Sequence, residues 1–447
     1  MKHIWLYVSK TDLGIELEQL RDEGRDVKRL EAAFKRLQAK DLDNDFALQP
    51  QAQELLDRAQ GLPTVKGYAH REPSDLAGIR KERPSGPRRM RLKLGREALL
   101  DRVQGAWFGR CAGCLLGKPV EGWRTPRMWG YLKDLGRYPL DDFFRSKVPK
   151  AILKKYDINP KWFGVENVTC MPEDDDTNYT TIGLAVVKRH GIDFTPEHVA
   201  GFWMQEVPIL HTCTAERVAY RNFAQSIAPP ASAVYRNPYR EWIGAQIRAD
   251  FFGYVALGNP QRAAELAWRD ASISHVKNGI YGEMWVAAML AVAVTTDNVK
   301  EVIRLGLTEV PRTSRLAAAV RDVIGWNEEG IGYEEAIARI HKCWNENNAH
   351  HWCHTISNAQ IVAMGLLWGE GDYGKAICRA VQACLDTDCN GATVGSVMGM
   401  MLGRKGLPER WLKPMRGTLQ TGVTGYHRVK IADLAAEGFE LYCKNRR

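Results

Sequence analysis

The stretch GAWFGRCAGCLLG, residues 105–117, sets glycine at every fourth position: Gly105, Gly109, Gly113 and Gly117. A second stretch, GATVGSVMGMMLG at residues 391–403, repeats the pattern with Gly391, Gly395, Gly399 and Gly403. At about 3.6 residues per turn an i, i+4 row keeps to one helix face, so each stretch predicts a helix with a stripe free of side chains. Glycine in a helix interior costs about 1 kcal/mol against alanine. Two facing stripes would offset that cost, because backbones without Cβ atoms can approach more closely than the usual ~8–10 Å between helix axes. Antiparallel packing would then bring Glu121, just past the first helix, beside Asp386, Thr387 and Asp388 at the start of the second. Ordinary packing with solvated caps accounts for either stripe alone. The pair with its acids points to an enzyme site.

Around these stripes the pattern is helical. From Glu97 to Glu440 apolar residues recur at three and four, alanine is frequent and alternating strand-like runs are scarce, which predicts an all-α core of upwards of about ten helices. Upstream, Leu13, Leu17, Leu20 and Leu30, Phe34, Leu37 fall at helical spacing and predict a small helical extension over residues 1–79. Between the two lies a basic run, residues 80–96, with eight Lys and Arg against the single acid Glu82. This segment carries most of the formal charge of +9. It reads either as a solvated linker or as a nucleic-acid or other polyanion contact, although it lacks the interleaved aromatics of single-strand binders. The expected organisation is therefore an extension (1–79), a linker (80–96) and a catalytic domain (97–447). With 447 residues and 45% hydrophobic content the chain can bury a large core. No apolar run is long enough for a membrane span, and the opening residues lack a secretory signal, so a cytoplasmic location is expected. The ten cysteines are unevenly placed and read as mostly reduced thiols. Cys111 and Cys114 form a C-x-x-C inside the first glycine helix, where they read as small packing residues.

Two acidic turns carry the chemistry. In PEDDDTNYT, Glu173, Asp174, Asp175 and Asp176 precede a helix running through Leu184 and Val187. Capping accounts for one or two acids, but consecutive carboxylates repel one another, and a multivalent cation is the simplest way to hold them together. In CLDTDCNGATVG, Asp386 and Asp388 stand two apart before the second glycine helix. All-oxygen ligands select hard cations such as Mg²⁺ or Mn²⁺ over Zn²⁺. The glutamate that an EF-hand loop needs at its twelfth position is absent.

Five segments, GAWFGRCAGCLLGKPVEG (105–122), EDDDTNYT (173–180), SHVKNGIYGE (274–283), HHWCHTISNAQIVAMGLLWGEGDYGKAI (350–377) and DTDCNGATVGSVMG (386–399), resemble, in order, the motifs of the ADP-ribosylglycohydrolase family. The resemblance implies a compact all-α fold with two Mg²⁺ ions, Mn²⁺ in some members, at the base of a cleft. The ions hold the ribose hydroxyls while the bond at the anomeric carbon is hydrolysed. It implies metal ligands at Asp174, Asp175, Asp176, Asp386, Asp388 and Cys389, and an acid/base at Glu121. Substrate-side positions fall on Gly117, Gly244, Gln246, Arg248 and His275. His354 and Asn358 either line the cleft or cap the helix that follows. The implied substrate is an ADP-ribosylated protein or small molecule. Hydrolysis of another N- or O-ribosyl compound and non-catalytic ADP-ribose binding are the alternatives.

The sequence departs from the family pattern at three places. Asp174 stands where many members have threonine, Cys389 where many have threonine or serine, and Arg110 where an aspartate commonly follows the glycine. A thiol is a poor ligand for Mg²⁺, so Cys389 leaves one place to water or favours Mn²⁺, while Asp174 can supply a compensating oxygen.

Overall fold

The two glycine stripes pack against each other, antiparallel. In the computed structural model, which describes residues 2–446, the helices Arg96–Gly117 and Thr387–Leu402 lie in contact along their whole glycine faces. A Cβ built on Gly105, Gly109 or Gly113 would strike the carbonyl oxygen of Gly399, Gly395 or Gly391 respectively, and one on Gly117 would strike that of Thr387. Each of these approaches is closer than real Cβ atoms allow, so only glycine fits. Side-chain bonds add to the seam: Thr387 Oγ1 donates to the Gly117 carbonyl at 2.9 Å and the Tyr373 hydroxyl to the Gly109 carbonyl at 2.8 Å.

Around this pair the fold is all-α. Among the described residues there are 23 α-helices and two short strands. Helices Asn278–Val292 and Thr355–Trp368 are buried on every face, the pattern of a helix apolar all round. The strands, Thr418–Gln420 and Arg428–Lys430, form a hairpin with Leu419 opposite Val429. Its first strand clamps the chain just before the acidic turn: Met171 N–H donates to the Thr418 carbonyl at 2.8 Å and Gln420 N–H to the Met171 carbonyl at 2.9 Å.

The N-terminal helices Lys10–Asp22, Glu31–Gln38 and Gln49–Gln60 gather Leu13, Leu17, Leu20, Leu30, Phe34 and Leu37 into a small core of their own. The first begins with a capping box, in which Ser9 Oγ accepts from Asp12 N–H while Ser9 N–H donates to the Asp12 carboxylate. Buried ion pairs fasten this extension to the body. Arg240 meets Glu16 at 2.6 Å and Glu23 at 2.7 Å, and Lys277 meets Glu23 at 2.7 Å.

The basic run is no free tether. Arg80 pairs with Glu265 at 2.9 Å, Arg83 and Arg88 pair with the buried Glu309 at 2.5 and 2.8 Å, and Arg96 pairs with Glu440. Met90 N–H donates to the Gly258 carbonyl at 2.7 Å. These arginines fasten the segment to the body, while Lys81, Arg89, Arg91 and Lys93 of the same run are exposed. No helix of the described residues is long and apolar enough to cross a membrane.

Candidate active site

The antiparallel seam delivers the two ends that matter to one place. After Gly117 a short 3₁₀ turn, Lys118–Val120, presents Glu121, while the opposite helix begins with Asp386 as its N-cap residue and Asp388 in its first turn. The third segment arrives on helix Asp175–His190, capped by Asp174, whose carboxylate accepts from Asp176 N–H at 3.0 Å. Carboxylate oxygens of Glu121, Asp386 and Asp388 lie within 4.8 Å of one another, as do ligand atoms of Asp176, Asp388 and Cys389. Asp388 belongs to both groups. Glu121, Asp175, Asp386, Asp388 and Cys389 line one cavity of about 460 Å³.

Crowding these acids raises their proton affinity. Burial, then the fields of Asp174, Glu121 and Asp386, lifts Asp175 well above the ordinary carboxylate range. Burial lifts Asp176 as well, against the pull of Arg110, and lifts Asp388 with the help of Glu121 and Asp386. Glu121 is exposed along its surface, yet its carboxyl stands where protein displaces water. That desolvation first, and Asp386 and Asp174 next, push it up to about 7 against the opposing pull of Lys118. The buried oxygens Asp176 Oδ2 and Asp388 Oδ1 have no hydrogen-bond partner. Unpaired buried carboxylate oxygens are costly, and a cation bound among them would remove the cost.

The departures have visible consequences. Arg110 is wholly buried between two carboxylates, 2.9 Å from Asp176 and 2.8 Å from Asp250, and donates to the Ile247 carbonyl at 2.6 Å. It anchors Asp176 from behind and does not face the cavity. One Asp174 oxygen caps the helix and the other meets Lys118 Nζ at 2.6 Å, while its carboxylate lies within 4.8 Å of ligand atoms of Asp176 and Cys114. Burial first, then the fields of Asp176, Asp386 and Asp388, raises the Cys389 thiol well above its usual value, and a thiol is a soft, weak ligand for Mg²⁺. Cys111 and Cys114 are buried free thiols within the glycine helix, and Cys114 Sγ lies within 4.8 Å of carboxylate oxygens of Asp174 and Asp176.

Several sequence-predicted substrate positions lie behind the cavity wall. Gly244 lines the cavity. Gln246 does not; it is fully buried beside Gly282 and Thr355. Arg248 is committed to a buried network, 2.8 Å from Glu216, 2.5 Å from Asp270 and 3.0 Å from Ser274 Oγ. His275 is buried next to it, its Nδ1 2.8 Å from the same hydroxyl. Gly117 packs on Thr387 and sets the position of the Glu121 turn. His354 is a cap, its Nδ1 accepting from Ile356 N–H at 3.1 Å. Asn358 holds the acidic turn from below, accepting from Asp386 N–H at 3.1 Å and from the Asn390 amide at 2.8 Å.

The cavity also has residues that sequence reasoning missed. Glu216, Tyr239, Trp242, Trp352 and Cys353 line it, together with Ile4, Trp5 and Tyr7 from the extension. Glu216 sits in an unremarkable amphipathic helix, Thr214–Ala224, and nothing local marks it. Trp352 and Cys353 fall within the quoted segment 350–377, and the aromatic pair in IWLY near the N-terminus was the signal available for Trp5 and Tyr7. Glu121 additionally borders a second cavity of about 480 Å³, whose wall includes Trp123, Arg127, Phe144 and the 83% exposed Trp162.

The all-α fold thus brings three acidic segments together at the end of a glycine seam. The chain matches the ADP-ribosylglycohydrolase family over residues 95–446 and belongs to it. Among solved structures, one described as an ADP-ribosylglycohydrolase-related protein complex is similar at 18% identity and a TM-score of 0.48, with 78% of this chain and 99% of that one covered. No curated protein matches. Membership supports a glycohydrolase activity on ADP-ribose-like substrates.

Proposed function

We propose that this protein is a divalent-metal-dependent hydrolase of the glycosidic bond at the anomeric carbon of an ADP-ribosyl group. The observation that carries the reading is the convergence of Glu121, Asp175, Asp386 and Asp388 on one cavity, with Asp388 Oδ1 and Asp176 Oδ2 buried and unpartnered. A set of carboxylates this close suits hard cations, Mg²⁺ or Mn²⁺, and Asp175, Asp176, Asp386 and Asp388 are the residues to hold two of them. Bound there, such ions would neutralise the acids and polarise the ribose hydroxyls. Asp174 and Cys389 are weaker candidates, since Lys118 engages the first and a thiol is a poor ligand for Mg²⁺.

Glu121 is the residue for proton transfer. A carboxyl near pH 7 is divided between acid and base at working pH, which suits protonation of a leaving group or removal of a proton from water as the anomeric carbon gains oxocarbenium character. Glu121 borders both cavities, so a ribosyl group in one and a leaving group in the other would meet at its carboxyl.

The test is release of free ADP-ribose from arginine-, serine- and nucleic-acid-linked substrates with Mg²⁺, with Mn²⁺ and with EDTA. Release from at least one linkage, abolished by EDTA, is expected. Glu121→Gln should lower that rate about 10²- to 10⁴-fold while metal binding by calorimetry stays near wild type. Release unaffected by EDTA would remove the metal from the reaction, and silence across the panel with ADP-ribose still bound would make the protein a binder.

A further inference from the structure

The cavity above the acidic floor has a wall that the family match does not include. Ile4, Trp5, Tyr7 and Thr11 line it together with Glu121, Asp175 and Asp388, and all four lie upstream of the matched residues 95–446. This strap is held in place by specific contacts. Arg217 Nη1 donates to the Ile4 carbonyl at 3.2 Å, and its guanidinium lies 4.7 Å from the centre of the Trp5 ring. Trp5 meets Tyr239 edge-on at 6.5 Å, and the Tyr239 hydroxyl donates to Asp12 in the helix that follows. Tyr7 packs on Phe46 at 5.4 Å. That helix is in turn locked to the body by Arg240 through Glu16 and Glu23.

Trp5 also sits in the left-handed region, at φ +67°. For a bulky side chain that conformation is unfavourable and persists only where surrounding contacts impose it. Both Trp5 and Tyr7 remain only partly buried, so ring surface is left for a ligand. A cavity of about 460 Å³ falls within the ~300–1,000 Å³ range of small-molecule sites. Its acidic floor suits a cation-bridged polar group, and its strap supplies flat aromatic surface.

We propose that the strap Ile4–Thr11 is a specificity-determining wall of this cavity, where Trp5 and Tyr7 receive the nucleobase end of a nucleotide-sized ligand. The inference rests on the reading that the ribose end of that ligand lies at the acidic floor.

Calorimetric titration of the full chain with ADP-ribose, and with ribose 5-phosphate as the probe lacking a base, tests it in the presence of Mg²⁺. Trp5→Ala and Tyr7→Ala should each weaken ADP-ribose binding about tenfold, the usual scale of one lost base stack. Ribose 5-phosphate binding should stay at wild type, and Trp5→Phe should restore most of the ADP-ribose affinity. Wild-type ADP-ribose affinity in both alanine variants would overturn the wall alone, as would a parallel loss for both probes, which marks a merely structural strap. Failure of the wild-type protein to bind ADP-ribose would overturn the reading of the site, and the wall with it.

Discussion

Arg110 shows how one residue holds a difficult site together. It is completely buried, yet its charge is matched by Asp176 on one side and Asp250 on the other. A buried ion pair adds little net stability, but removing one partner leaves an uncompensated charge in a poorly solvating interior. Arg110→Met, which keeps much of the volume, should therefore cost about 3–5 kcal/mol in urea unfolding. A cost below 1 kcal/mol would mean that Asp176 and Asp250 are neutral in the native protein. Lys118 plays the lesser part at Asp174, because it is partly open to solvent.

The glycine seam belongs to the scale of the element. Gly113→Ala would drive a methyl group into the Gly391 carbonyl, which lies in a helix backbone that has no room to retreat. Overpacking of this kind costs about 1–3 kcal/mol, and the seam should open enough to separate Glu121 from Asp386 and Asp388. The expectation is a lower urea midpoint together with loss of hydrolysis. Gly325 in helix Arg315–Glu328 is the control, since a Cβ there meets nothing within 4 Å. Gly325→Ala should be neutral or stabilise by up to about 1 kcal/mol. Equal behaviour of the two variants would show that the stripe is ordinary helix composition. The acidic helix depends on a different element, the hairpin that clamps Met171.

For the whole molecule, the acidic floor couples stability to pH and to metal. Burial and mutual repulsion raise Glu121, Asp175, Asp176, Asp386 and Asp388 above their unfolded values. A carboxyl with a raised folded-state value favours the fold most below about pH 4, where it is protonated in both states. That contribution is lost as pH rises through the folded value, which for Glu121 is about 7. Metal-free protein is thus burdened by these acids at pH 8 and relieved of part of the burden at pH 5.5. Mg²⁺ should raise the thermal midpoint more at pH 8 than at pH 5.5, as scanning calorimetry with Mg²⁺ and with EDTA would show. An increment independent of pH would place the ion away from these carboxylates.

Much of this was legible in the chain. The i, i+4 glycines implied facing helices, and with them the meeting of Glu121, Asp386 and Asp388, because helical periodicity is a local property and a missing Cβ has few uses. The apolar positions Leu13 to Leu37 foretold a helical extension for the same reason. Periodicity has no term for which residues sit behind a wall and which in front. Arg248, His275 and Gln246 carry chemistry suited to a substrate, and only packing against Glu216, Asp270 and Thr355 removed them from the cavity surface. Likewise Arg110 looked like a defect in a motif until Asp250, far along the chain, was seen to balance it. The strap was invisible for a related reason, since Trp5 has no motif and shares a cavity with the acidic floor only because Arg240 and Arg217 dock the extension across more than two hundred residues of chain. Local periodicity and close backbone approach were thus determined by sequence alone. Burial and charge pairing were decided by the tertiary structure, because both are set by partners distant in the chain.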